Sequence, residues 1–279
     1  HIWSELSDQN VDRKSVIINL GGGVVSDLGS FVASIYKRGI NVINIPTSLL
    51  SMVDASIGAK CGIDFIGFKN QLGSFKCVEG IFINAKFLET LPQVELISGL
   101  AEMLKHGLIS NREHWNKLIS LKSISFQNLA PLINQSTKIK NRIVEKDPFE
   151  ENIRKTLNFG HTIGHAIESF LLQKGVEIKH GFAIAAGMIC EVFISRKHEL
   201  ISAEEFIMVE RGIDKFFTRI ELAKTEFPLI LGYMHQDKKN DSGIKKLSLI
   251  NEIGSCLIDQ EIDDQLILDS LAYYIGELR

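Results

Sequence analysis

Two histidines, His161 and His165, stand four residues apart in LNFGHTIGHAIE, which runs from Leu157 to Glu168. Each directly follows a glycine, Gly160 or Gly164. Residues i and i+4 of a helix share a face, so both imidazoles point the same way. Such a pair can bind a metal, relay a proton or pack in a core. The spacing is a common zinc geometry. The zinc-protease form carries Glu directly after the first histidine, but Thr162 stands here, so that hydrolytic mechanism does not apply. A third histidine, His180, opens HGFAIAAG. Glu102, in GLAEMLKHGLI, together with two of these histidines would make a catalytic site of three protein ligands and one open position. Glu102 and Lys105 also suit a plain i,i+3 ion pair. A core or capping role explains any one histidine alone, whereas three beside glycines favour a metal.

Other stretches suit a small anion. LGGGVVSD follows an apolar run and opens a helix, where glycines let backbone N–H groups approach a phosphate. It is not GxGxxG, and a tight strand–helix turn explains it equally well. VDASIGAKCGIDFIGFKNQLGSF holds Asp54, Lys60, Lys69 and Asn70 in a setting too apolar and glycine-rich for a simple exposed loop. Lysines projecting from it suit an anionic substrate. In EKDPFEENIRKTLN, Glu150 precedes Arg154 and Asn158, and with His161 the latter two fall at i, i+4 and i+7. That spacing predicts one polar helical stripe, which is also what the exposed face of an amphipathic helix looks like.

The elements that position these residues divide into two kinds. SVIINL, NVINIP and GIFINA are apolar runs separated by helix-length segments, the mark of parallel strands, with a helix expected from Asp27 to Arg38. From about Leu91 the period changes to three and four residues, predicting helices over 95–109, 128–145, 153–173, 181–198 and 203–217. The change, near Pro92, divides residues 1–92 from 93–279. The 279 residues, 45% hydrophobic and 23% charged, suit a two-domain globular protein, and the net charge of −3 without a basic tract gives no hint of nucleic acid. No apolar stretch is long enough to suggest a membrane span. Cys61, Cys77, Cys190 and Cys256 lack CxxC pairing, which favours a reduced, cytoplasmic setting. The first apolar run lies very near the first residue, and nucleotide-binding sheets usually have earlier strands, so further N-terminal strands are expected to be missing from this sequence.

Taken in order, GGGVVSDLGSF, KRG, PTSLLSMVDASIGAKCGI, FKNQLGSF, FLETLP, GLAEMLKHGLI, LNFGHTIGHAIE, HGFAIAAGM and DKKN resemble the 3-dehydroquinate synthase family, of the sugar-phosphate cyclases. The resemblance implies a Rossmann-like α/β NAD-binding domain followed by an all-α metal- and substrate-binding domain. It implies NAD, a divalent metal (zinc or cobalt) and a homodimer. The implied enzyme is a carbon–oxygen lyase of the shikimate pathway, on the way to chorismate and the aromatic amino acids. It would convert 3-deoxy-D-arabino-heptulosonate 7-phosphate to 3-dehydroquinate and phosphate. The implied steps are transient oxidation by NAD, phosphate elimination, reduction and intramolecular aldol closure.

By position, the resemblance implies Glu102, His161 and His180 as metal ligands and His165 as a substrate-side proton-transfer group, a division that spacing alone leaves open. Gly22, Gly23, Asp27, Thr47, Ser48 and Thr90 match the NAD site, with Asp54, Lys60 and Lys69 shared between cofactor and substrate. Asn70, Lys105, Lys140, Glu150, Arg154 and Asn158 match substrate contacts. Arg38 matches an arginine that reaches a neighbouring subunit's site, and Lys239, or its neighbour Lys238, matches a phosphate contact. The chain reads Ala59 and Cys61 where the family often has Gly and Thr, and Phe182 where it often has Glu. Competing readings are another sugar-phosphate cyclase, a metal-dependent NAD alcohol dehydrogenase of related fold, which would accumulate NADH, and a binding remnant without turnover.

Overall fold

The computed structural model describes residues 1–65, 68–237 and 245–278, apart from the side chains of 68–70, 236 and 237. The chain forms two compact units, one of residues 1–99 with 124–141 and one of 100–123 with 142–279.

The first unit starts with α1 (Ile2–Asp8), β1 (Val16–Gly21), α2 (Gly23–Ile35) and β2 (Asn41–Pro46). β1 and β2 pair in parallel, Val16 opposite Asn41 through Gly21 opposite Pro46. Parallel neighbours need a crossover, and α2 supplies it. Ala33, Tyr36, Ile40 and Val42 form a buried cluster with Leu6, Val11, Ile17 and Val78 packed against it. Deep in this unit, Asn19 donates from Nδ2 to Asn44 Oδ1 at 2.9 Å, so two adjacent strands share a satisfied polar pair. β1 alternates rather than being apolar and buried throughout. Ile17 and Asn19 turn inward, while Ile18 and Leu20 are 59% and 58% exposed.

The stretch with Asp54, Lys60 and Lys69 is not a loop. A π-helical turn over Ser51–Ala55 leads into a hairpin of β3 (Lys60–Phe65) and β4 (Phe68–Phe75). Gly62 lies opposite Gly73, and a Cβ on Gly62 would sit 2.7 Å from the Leu72 carbonyl, so the two backbones are too close for side chains there. The strand expected over 80–85 shortens to β5 (Gly80–Ile81), which pairs only with Ile43 and Asn44. Asn84 then caps a 3-10 helix over Ala85–Thr90 by accepting the Lys86 N–H, which draws the chain away from the sheet.

Helices follow as α3 (Gln93–Ser110), α4 (Arg112–Ile119), α5 (Phe126–Lys146), α6 (His161–Gln173), α7 (His180–Lys197), α8 (Ala203–Asp214), α9 (Phe227–Asp237) and α10 (Asp264–Tyr274). In the second unit α7 is buried almost all round, from Gly181 to Ser195 with the exception of Phe182, as its unbroken apolar run requires. This half is not purely helical. β6 (Lys245–Glu252) and β7 (Ser255–Ile262) form an antiparallel hairpin whose turn uses Gly254 at φ 105°. No helix among the described residues is long and apolar enough to cross a membrane.

Candidate metal and substrate site

Backbone proximity builds the histidine cluster in the second unit. His161 is the first residue of α6 and His180 the first of α7. Gly160, just before α6, has φ 78°, and a Cβ there would meet the Ile184 carbonyl and the Met188 nitrogen at 3.1 Å. A Cβ on Gly187 would strike the Gly160 carbonyl, and one on Gly164 would lie 2.8 Å from the Ala183 carbonyl. With these glycines, α6 and α7 meet almost backbone to backbone. The His161 and His180 rings come to 5.7 Å between centroids. His165, one turn along α6, is 5.1 Å from His161 and 5.6 Å from His180. One nitrogen from each of the three rings lies within 4.8 Å of the others.

Glu102, on α3, is fully buried beside them. Its Oε1 is 3.3 Å from His161 Nε2 and 3.4 Å from His180 Nε2, and Lys105 pairs with Oε2. A carboxylate buried this deeply is costly unless cationic groups engage it. One carboxylate oxygen and two imidazole nitrogens make a donor set that suits zinc or cobalt. These residues therefore fit the metal that the family resemblance implies.

The charges of these groups are strongly coupled. Burial opposes charge on Glu102, but Lys105 and then His161 outweigh it and hold the carboxyl well below its ordinary value. Burial, then the Lys105 cation, pushes His161 down. Burial also opposes charge on His180, but hydrogen bonds to Glu102 and Glu168 carry it up to about 9.

A second cluster in this unit is built on Asp147. Its carboxylate accepts the backbone N–H groups of Glu151, Asn152 and Arg154 at 3.0, 2.7 and 2.9 Å. Burial would raise its pKa, but these three bonds hold it down. Within the loop so fixed, Arg154 is buried and donates from Nη1 to the Pro148 carbonyl, with Nε 3.9 Å from Glu150 Oε2. Asn158 donates to Glu150 Oε1 at 2.8 Å. Arg154, Asn158 and His161 do not form the single helical stripe their spacing predicts. Residues 153–158 are a 3-10 helix, and the left-handed Gly160 breaks the axis before α6 begins. Arg154 and Asn158 are gathered by Glu150 instead.

In the first unit, the glycine turn and the second strand's exit meet. Gly22 caps α2, and its Cα lies so near Ser48 that an added Cβ would come 3.3 Å from the hydroxyl oxygen. The Thr47 N–H donates to the Gly21 carbonyl at 2.9 Å. Gly23, the first residue of α2, approaches Ala55 as closely, its Cβ position 3.2 Å from that methyl. Lys140 donates to Asp54 Oδ1 at 2.8 Å, and both groups influence Asp27. Burial, then the Asp54 charge, raises the Asp27 carboxyl to about 7 against the pull of Lys140. Lys60 begins β3, while Arg38 and Thr90 are exposed on separate turns. Lys69 and Asn70 lie on β4 with side chains outside the described residues, and Lys238 and Lys239 lie outside the described residues altogether.

Three acids carry structure around these groups without carrying a motif. Asp147 orders the Arg154 loop. Glu168 meets His180 Nδ1 at 3.3 Å, and Glu191 accepts the Gly160 N–H at 2.6 Å. Glu168 had a readable signal, since it falls on the α6 face of His161 and His165. Glu191 is an acid inside the apolar run of α7, a pattern that marks a buried partner without naming it.

The chain is similar to known proteins along both of its halves. Residues 1–98 match the family model for the 3-dehydroquinate synthase N-terminal region, and residues 99–240 match that for the C-terminal region. The 3-dehydroquinate synthase of Parabacteroides distasonis is 42% identical over 275 residues, covering 98% of this chain and 78% of the relative. The fold is that of a 2-deoxy-scyllo-inosose synthase crystallised with carbaglucose-6-phosphate, NAD+ and Co2+. The TM-score is 0.86 at 24% identity, over 98% of this chain and 77% of that one. A 2-epi-5-epi-valiolone synthase from Streptomyces hygroscopicus, with NAD+ and Zn2+ bound, shares it at a TM-score of 0.84 and 23% identity, over 98% and 77% of the two chains. With both halves matched and a relative of this identity aligned along nearly all of this chain, the chain belongs to the 3-dehydroquinate synthase family.

Proposed function

We propose that this chain converts 3-deoxy-D-arabino-heptulosonate 7-phosphate to 3-dehydroquinate and phosphate, using NAD and a divalent metal, as a cytoplasmic homodimer. The observation that carries the site assignment is the buried Glu102 carboxylate, set equally close to His161 Nε2 and His180 Nε2. Those three residues would hold zinc or cobalt. Gly22, Gly23, Asp27, Thr47, Ser48 and Thr90, with Asp54, Lys60 and Lys69, would hold NAD. When bound, NAD+ takes and later returns a hydride, and the metal polarises a substrate hydroxyl, so the whole cycle is redox-neutral.

The chain's own residues bind the substrate and move its protons. His165 stands beside both proposed ligand rings and is the group we assign to proton transfer. Lys105, buried against Glu102, keeps that carboxylate ionised. Glu150, Arg154 and Asn158 form a linked polar set, pre-ordered by Asp147, that suits binding and orienting a substrate rich in hydroxyls. Lys140 holds Asp54 in place, and with Lys60, Lys69, Asn70 and Lys239 it belongs to the set assigned to the substrate's carboxylate, phosphate and hydroxyls. Arg38, exposed at its turn, is assigned to a neighbouring subunit's site.

Phosphate release from this substrate, with NAD+ and zinc supplied and NADH absorbance followed in the same cuvette, tests the reading. The expected result is release without lasting NADH, abolished by a chelator. Net NADH accumulation would instead indicate a dehydrogenase. Turnover of a hexose 6-phosphate in place of this substrate would indicate another cyclase.

A further inference from the structure

The two proposed histidine ligands present the same ring nitrogen to the centre. His161 and His180 place Nε2 3.3 and 3.4 Å from Glu102 Oε1. Their other nitrogens both meet acceptors. His161 Nδ1 faces the Phe159 carbonyl at 3.1 Å, and His180 Nδ1 faces Glu168 Oε2 at 3.3 Å. With a cation engaging Nε2, the ring proton sits on Nδ1, the nitrogen that faces the outer acceptor, and the lone pair is on Nε2. The two acceptors are unlike. The Phe159 carbonyl is a neutral group set by the turn at Gly160, whose N–H is fastened to Glu191. Glu168 is a carboxylate only 6% exposed, and a charged acceptor in such surroundings makes the ring a stronger donor than a carbonyl does.

We propose that Glu168 is a positioning residue for the metal centre. It holds His180 with Nε2 aimed inward and strengthens the grip of that ring on a divalent cation. The inference rests on the metal reading above. His161 receives the same service from backbone, so the centre is fixed by one replaceable side chain and one main-chain turn. Substitution is therefore felt on the His180 side.

Zinc and cobalt affinity, measured by competition with a chromophoric chelator, tests this in the native chain, Glu168→Gln and Glu168→Ala. Glutamine keeps an acceptor for Nδ1–H without the charge, and alanine removes both. Affinity is expected to fall about tenfold in the glutamine variant and toward about 100-fold in the alanine variant. The visible absorption of bound cobalt should change in both. Urea unfolding of the metal-free proteins runs alongside, and the glutamine variant carries the test if the alanine variant does not fold. Unchanged affinity in a folded variant, beside tight binding by the native chain, would overturn the role of Glu168 alone. Absence of metal binding by the native chain would overturn the metal reading and this inference together.

Discussion

Asp27 shows how much a single carboxyl can reveal about the first unit. Its pKa is raised from the ordinary 3.8 to about 7 by burial and by the Asp54 charge. An acid held higher in the folded chain than in the unfolded one favours folding when protonated. Its burden on stability is thus absent below about pH 4, grows as pH rises from there to about 7, and is fully present above that. The whole shift corresponds to about 4 kcal/mol at most. Asp27→Asn, free of NAD, should be more stable than the native chain by about 2–4 kcal/mol at pH 8 and equal to it near pH 4. Urea unfolding at the two pH values checks this, and equal stability at pH 8 would contradict it. Lys140→Met is expected to act in the other direction, costing about 1–3 kcal/mol by removing the cation that pairs with Asp54 Oδ1. At this scale the sequence was informative about which residue types matter. The three histidines and Glu102 drew notice by their helical spacing and their glycine neighbours, and the fold brings them together. Glu168 and Glu191 stand at telling positions, but what each one contacts was not legible, because that depends on which helix packs against which.

Among the elements, the meeting of α6 and α7 governs the second unit. Gly160→Ala would force a left-handed alanine, costing about 1–2 kcal/mol, and crowd the carbonyl of Ile184. We expect a loss of about 2–4 kcal/mol in urea unfolding, together with weaker zinc binding, because the Phe159 carbonyl would leave His161 Nδ1. Gly187→Ala should be worse, since its Cβ would meet the Gly160 backbone directly. Most helices were readable from three- and four-residue periodicity. The break at Gly160 was not, because the apolar period runs through it and only the left-handed φ ends the first segment. The β3–β4 hairpin was hidden for a similar reason. Gly62 and Gly73 face each other across it, so its signal is close backbone approach rather than side-chain alternation. β6 and β7 fell after a long helical run, with only the turn at Gly254 to announce them.

For the whole molecule, the change from strand to helix period near Pro92 separates two kinds of structure, yet it does not foresee that residues 124–141 pack with the first unit. Contacts between distant segments leave no trace in local spacing. The two proposed cofactors should be distinguishable by where they protect the backbone. NAD+ is expected to slow amide exchange in residues 21–28 and 47–55, and zinc to slow it in α6 and α7. Mass spectrometry after exchange, with each added alone, measures this. Zinc protection confined to the first unit would contradict the assignment of Glu102, His161 and His180.

The neighbouring positions of His161 and His165 on one helix also have a consequence in time. Of Glu102 and the three histidines, His161 and His165 are the pair that are neighbours before any tertiary structure exists. Glu102 lies about 60 residues upstream and His180 about 20 downstream, and both must wait for long loops to close. A chain folding in the presence of zinc can therefore be seized early by the wrong pair, with His165 taking the place of a proposed ligand. Refolding with zinc present from the start should be slower than refolding in chelator with zinc added afterwards. Replacing His165 with alanine should narrow the gap. The spacing that first draws the eye to this site would then be its kinetic trap, and the native centre is reached only when a nearby histidine gives way to a distant one.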